Sequence, residues 1–279
     1  MRSSVEVVHW NPRRPVLPGP LGAKVPWLRP VNNFGDILSP VIVEAVARRK
    51  GCLDGPPREH SPTRRIVAVG SVMHFARSGD VVWGAGVNGK VGADEHTFSN
   101  LDVRAVRGPL TREFLQRRGI EVPAVYGDPG LLLPLLDERV RRWSSAKRFD
   151  LCILPNLHDY KSMASRADVI SPRSDLGSIL RRIAQSRMVV GSSLHGIVIA
   201  EALQIPARLV MPGQEHRFKY EDYYLGTGRA GFSPASTVDA AVAAGGEPPI
   251  TNWSAEDLLD AFPVDLWGMA RHGQNGTAP

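Results

Sequence analysis

Short apolar runs alternate along this chain with stretches in which apolar residues recur every three or four positions, the pattern of a parallel sheet with crossover helices. Val5–His9 reads as a first strand, and the Pro-rich stretch that follows to Pro30 reads as loop. From Asp36 to Lys50, Ile37, Val41 and Ala45, then Leu38, Ile42 and Val46, recur at i, i+4, i+8 and predict an amphipathic helix. Gly51 is placed to end it, and Pro40 is tolerable only because it falls in the first turn. Arg65–Gly70, Asp80–Gly84 and Leu101–Val106 are the next strands. Pro109 opens a helix through Arg118, with Leu110, Phe114 and Leu115 as its buried stripe and Gly119 as its close. Val122–Tyr126 reads as a strand ending at Gly127-Asp128-Pro129.

The polar stretch Asp137–Arg148 is the expected domain boundary, and the second half repeats the plan. Leu151–Leu154 is a strand. Leu176, Ile179, Leu180 and Ile183 mark a helix that Asp175 can cap. Met188–Val190 is a buried strand, Gly191–Gly196 turns into a helix carrying Ile197, Ala200 and Leu203, and Ala207–Met211 is the strand after it. Ser254 with Asp257 resembles a capping box before Leu258, Leu259 and Phe262, a closing helix that packs back on the core. The expected class is α/β, in two Rossmann-like parallel-sheet halves facing a cleft. The halves are residues 1–140 and 141–267, with 268–279 a frayed tail.

Composition narrows the partners. With 43% hydrophobic and 22% charged residues, the chain has the make-up of a soluble globular protein. Its net charge of +6 favours anionic partners: a phosphorylated substrate, a lipid-phosphate acceptor or an anionic membrane surface. The basic pairs lie beside apolar helical stripes, as solvated helix faces do, and no nucleic-acid motif accompanies them. Cys52 and Cys152 have no metal-like spacing, and residues 1–30 hold no apolar run long enough for a signal or a span. A cytoplasmic protein, in peripheral contact with a membrane at most, is the expectation.

Five short motifs can carry chemistry. In Gly191-Ser192-Ser193-Leu194-His195-Gly196 a strand ends and a helix begins, giving an anion site at the helix start with two hydroxyls and a histidine beside it. The same residues also serve as N-caps and a packed histidine, and the residues alone leave both readings open. Asn33 and Asp36, around Gly35, can hydrogen-bond a ligand at a helix start, although taken alone Asp36 reads as a cap. Arg107, before Gly108-Pro109 and Thr111, places a fork of donors at a strand's carboxyl end, where a surface arginine is the commoner case. Gly127-Asp128-Pro129-Gly130 fixes a turn and leaves a catalytic carboxylate open. His216 to Tyr224, with Lys219 and Tyr223, is a polar–aromatic cluster suited to sugars or to a surface loop. Gly84-Ala85-Gly86 lacks the third glycine of a dinucleotide fingerprint, and His9, His60, His74, His96 and His158 lack metal-ligand spacing.

Taken in order, Asn33-Phe34-Gly35-Asp36, Val106-Arg107-Gly108-Pro109, Gly127-Asp128-Pro129, Ser192-Ser193-Leu194-His195-Gly196 and Phe218-Lys219 ahead of Asp222-Tyr223-Tyr224 resemble the polysaccharide pyruvyl transferase family. The chain looks closest to the branch that builds pyruvate ketals on exopolysaccharides. The resemblance implies a fold similar to the glycosyltransferase B type, phosphoenolpyruvate as donor, and a sugar acceptor, free or lipid-diphosphate-linked. It implies no cofactor and no metal. It further implies that His195 is the acid/base residue, that Arg107 and the 191–196 turn hold the donor, and that Lys219 is a further donor contact. On that basis Asp36 or Asp128 is the expected base, and Asn33, Ser192, Ser193 and Tyr223 are expected substrate contacts. Two rivals differ in class: a nucleotide-sugar glycosyltransferase of the same fold, and a glycan- or anion-binding module without catalysis.

Overall fold

The computed structural model describes residues 5–15, 27–54, 64–248, 250 and 253–269. In chain order, strands β1 (Val5–Val8), β2 (Arg13–Pro15) and β3 (Leu28–Pro30) precede helix α1 (Phe34–Arg49). Strands β4 (Arg64–Val67), β5 (Val81–Trp83) and β6 (Asp102–Ala105) lead to helices α2 (Pro109–Gln116), α3 (Leu133–Leu136) and α4 (Glu138–Ser144). Then follow β7 (Phe149–Ile153), α5 (Tyr160–Met163), α6 (Leu176–Ala184), β8 (Ser186–Gly191), α7 (Leu194–Ala202) and β9 (Ala207–Leu209). Helices α8 (Phe218–Gly226), α9 (Val238–Ala244) and α10 (Ala255–Asp260) close the order.

The architecture is mixed α/β with two parallel sheets. One is ordered β1-β4-β5-β6 and the other β7-β8-β9, with β2 and β3 as a separate antiparallel ribbon. The two-residue period of a strand sends alternate side chains to opposite faces. In the first sheet Ile66, Val81, Trp83 and Ala105 face a central core, while Val67, Val82 and Val103 face an outer one with Leu115 and Ile120. In the second sheet Cys152, Val189, Ala207 and Leu209 face the same central core, while Ile153, Val190 and Val210 pack outward against Val238 and Ala241. One face of each sheet therefore shares a single apolar cluster. Helix α1 supplies its middle with Phe34, Leu38, Ile42 and Val46, all fully buried.

Several expectations are revised. Val122–Tyr126 makes one parallel bridge, Tyr126 to Val106, because Pro123 has no N–H to extend a ladder. Part of the Pro-rich stretch is ribbon, its prolines Pro15 and Pro30 standing at strand ends. The stretch 137–148 holds a helix that the sequence did not single out, α4, which Asp137 caps by accepting from the Arg139 amide. His216–Tyr224 is largely helix, and Tyr220, Tyr223 and Tyr224, at i, i+3 and i+4, form its buried face. His60 and residues 270–279 of the expected tail lie outside the described residues.

Ser254 accepts from the amides of Glu256 and Asp257, as its spacing suggested. The segment it opens returns to the first sheet. The Trp83 indole donates to the Leu258 carbonyl at 2.8 Å, Phe262 meets the Trp83 ring edge-on at 4.9 Å, and Arg104 pairs with Asp265 at 3.0 Å. Among the described residues no helix is long and apolar enough to cross a membrane.

Candidate active site

A cleft of ≈ 270 Å³ opens beside the starts of α1 and α7, lined by the segments after β1, β4, β5, β7, β8 and β9. The leading amides of a helix have no acceptor within it, and its dipole is positive there, so two helix starts on one cleft favour an anion. The approach is close because residue 35 is glycine. A Cβ there would stand 2.4 Å from Nδ1 of His195. Phe34 meets the imidazole edge-on, with centroids 6.5 Å apart.

His195 stands in the first turn of α7 and lines the cleft with its side chain 11% exposed. Behind it is Asp128, fully buried, with Oδ2 3.4 Å from His195 Nε2. The other carboxylate oxygen of Asp128 accepts from the Gly130 amide at 2.9 Å and so caps the 3-10 turn Pro129–Leu132. That turn packs on α7, bringing Gly130 against Val198.

Asn33 and Asp36 line the same cleft, and the Asn33 amide donates to Asp36 Oδ2 at 2.5 Å. Burial raises the Asp36 carboxyl above the ordinary aspartate value, against the pull of Asn33, His195, Lys219 and His9. On the facing side, Glu215 accepts from Lys219 and from Lys90, each at 2.7 Å. Burial pushes Glu215 up, but the two ammonium groups outweigh it and hold the carboxyl below its usual value. Burial draws Lys219 below the ordinary lysine value, only partly offset by Glu215. Burial, with His96 nearby, holds His74 low as well. The wall thus combines two lysines, one carboxylate between them, and the imidazole rings of His74 and His158.

Asn33, Asp36, Ser193, His195 and Lys219 are brought together at the cleft, with Asp128 one contact behind. Ser193 also caps α7, its hydroxyl accepting from the Gly196 amide at 3.4 Å. Three expected contacts stand elsewhere. Arg107 has no exposed surface: its guanidinium donates to Asp222 at 3.0 Å, to Ser71 Oγ at 2.7 Å and to the Val87 carbonyl at 2.7 Å. A buried guanidinium needs a carboxylate, and Asp222 of α8 supplies it from inside the protein. Ser192 is buried, its hydroxyl accepting from the Asn156 amide at 3.1 Å. Tyr223 is buried and donates to Glu201 at 2.5 Å, in a cluster that Arg229 completes.

The cleft also holds residues that the sequence did not single out for chemistry: Ser71, His74, Asn88, Lys90, Asn156, His158 and Glu215. They sit on four segments from distant parts of the chain, and Glu215 alone carries a local mark, four residues before Lys219. The signal that could have found Ser71 and Asn156 is their position just past the carboxyl ends of β4 and β7.

The sequence profile of the polysaccharide pyruvyl transferase family matches residues 33–212. Asp36, Arg107, Asp128 and His195 fall inside that range, and Lys219 and Asp222 fall beyond it. The chain is also similar to the succinoglycan biosynthesis protein ExoV of Rhizobium meliloti (strain 1021). The two are 27% identical over 179 residues, covering 60% of this chain and 54% of ExoV, so the chain spans about half of that relative. No solved structure gives a significant match.

Proposed function

Because the chain belongs to the polysaccharide pyruvyl transferase family, we propose that it transfers a pyruvyl group from phosphoenolpyruvate to two hydroxyls of a polysaccharide sugar or its lipid-diphosphate-linked precursor, forming a ketal and releasing phosphate. The observation that carries this reading is the placing of His195, in the first turn of α7, against the start of α1, with Lys219 and Lys90 in the same cleft. A donor with a phosphate and a carboxylate needs cationic and amide donors for both, and an acid for its methylene carbon.

In this mechanism the helix starts and Lys219 hold the donor's anionic groups, which take over ion pairing from Glu215. Asn33 and Ser193 orient it. His195 protonates the methylene carbon, and the positive charge that develops at the neighbouring carbon draws in a sugar hydroxyl. Phosphate departs and a second hydroxyl closes the ring, while Asp36 or Asp128 takes up a hydroxyl proton. Arg107 acts at one remove, through Ser71 Oγ at the cleft wall. No cofactor is needed for these steps. The matching fold reading treats the two sheets as halves of a glycosyltransferase-B-like arrangement divided near residue 140, and places the enzyme in the cytoplasm, at the inner face of the membrane when the acceptor is lipid-linked.

Inorganic phosphate released from phosphoenolpyruvate, with and without a panel of simple and lipid-linked sugars, tests the reading. Acceptor-dependent release that His195→Ala abolishes while remaining folded is the expected result. No release with any acceptor, together with no thermal shift by phosphoenolpyruvate, would overturn the proposal and favour a nucleotide-sugar donor.

A further inference from the structure

Two polar atoms, one on the cleft's lining and one behind it, are closed off from solvent and have no hydrogen bond: His195 Nε2 and Asp128 Oδ2. A buried polar atom without a partner is costly and rare, so two such atoms facing each other at 3.4 Å call for a common explanation. A proton on one of them satisfies both once the pair draws a few tenths of an ångström closer than 3.4 Å. Asp128 Oδ1 is already committed to the Gly130 amide, which fixes the carboxylate's rotation and leaves Oδ2 aimed at the ring. An ionised carboxylate only accepts, so the proton belongs to the imidazole nitrogen. The opposite ring nitrogen, Nδ1, lies against the Gly35 backbone at the start of α1 and is not closed off in this way.

We propose that Asp128 is a positioning residue that holds His195 with its proton on Nε2 and presents Nδ1 as the nitrogen that exchanges protons with the ligand. This deepens the pyruvyl-transfer reading and rests on it for the proton's destination. In the acid step the imidazolium carries protons on both nitrogens. The π pair of the donor's methylene forms the new C–H bond to the Nδ1 proton, and the N–H pair stays on Nδ1. The ring is left neutral with Nε2–H still on Asp128, and positive charge is left at the donor's oxygen-bearing carbon. Asp128 is then excluded as the hydroxyl base, and that task falls to Asp36. A carboxylate behind a catalytic imidazole sets its tautomer in the same way in the serine hydrolase triad. The charged groups facing this ring are Asp128 on one side and Asp36 and Lys219 from the cleft.

The test reads the tautomer directly. Two-bond proton–nitrogen correlation spectra of the full chain labelled with ¹⁵N-histidine, with His195 assigned by the peaks lost in His195→Gln, report which nitrogen is protonated above the ring's titration. The neutral wild-type ring should show the Nε2–H pattern. Asp128→Asn, folded by circular dichroism, should shift toward Nδ1–H and lose about 100-fold or more of kcat, with KM for phosphoenolpyruvate changed only a few-fold. Wild-type His195 protonated at Nδ1 would overturn the assignment, whether or not Asp128→Asn folds. So would a folded Asp128→Asn that keeps the Nε2–H tautomer and full turnover. The wild-type spectrum needs no turnover, so failure of pyruvyl transfer and failure of the tautomer assignment are distinguishable.

Discussion

At the residue scale, the cleft gives up stability by burying titratable groups, most plainly at Asp36. Its carboxyl is raised by burial, with Asn33, His195, Lys219 and His9 pulling in the other direction. A raised acid binds its proton more tightly folded than unfolded. The stability it supports is therefore fully present below the unfolded aspartate pKa, about 3.9, and is lost as pH rises through the folded value. Asp36→Asn removes that dependence. Thermal melts should show the variant gaining on the wild type as pH climbs from about 4 to neutrality, while acceptor-dependent turnover falls. A gap in melting temperature that does not change with pH would mean that Asp36 is not held in a raised state. Sequence alone presented this residue as a helix cap, since it stands where the predicted helix begins. The structure has the Asn33 side chain cap nothing and donate to Asp36 instead.

At the element scale, the cleft's lysine is set in place by a helix that the sequence presented as a loop or a stacking cluster. Helix α8 carries Lys219 and, one turn further on, Asp222, and Asp222 is where the β6 side of the molecule grips it. Its carboxylate accepts from Arg107, from the Thr111 amide at 2.9 Å and from the Thr111 hydroxyl at 2.6 Å, and both Arg107 and Asp222 are fully buried. The contact is tight: a Cβ on Gly226 would stand 2.1 Å from the Arg107 carbonyl oxygen. Removing one partner of such a pair leaves a buried charge uncompensated. Asp222→Asn is accordingly expected to cost about 3–5 kcal/mol in urea unfolding. A loss under about 1 kcal/mol would show that the helix is held by its tyrosines alone. The sequence placed Arg107 correctly at a strand's carboxyl end but read it as a donor contact or a surface arginine, and the structure buries it instead. Its partner was not legible, because Asp222 is 115 residues away and no spacing connects them.

At the scale of the whole molecule, the two sheets turn one face each to a common core, and the last described segment ties that core to the first sheet. Phe262, 3% exposed, packs on Trp83 and stacks with Trp267 at 5.2 Å. Phe262→Ala should cost about 3–5 kcal/mol, with both sheets lost in one transition when followed by tryptophan fluorescence and far-ultraviolet circular dichroism. Two separated transitions would show that the sheets unfold independently. The alternation of strand and helix, the caps at Asp175 and Ser254, and the placing of His195 and Asp36 at helix starts were determined by the sequence itself. Periodicity, capping and turn chemistry act over a few neighbouring residues, so they can be read along the chain. What only the tertiary structure decided is which of those local features meet. Gly35 lies against His195, Asp128 stands behind it, Lys90 and Lys219 share Glu215, and Arg107 turns inward to Asp222. Each of these depends on how loops from distant strands converge at one end of the sheets, and on which charges burial leaves in need of a partner.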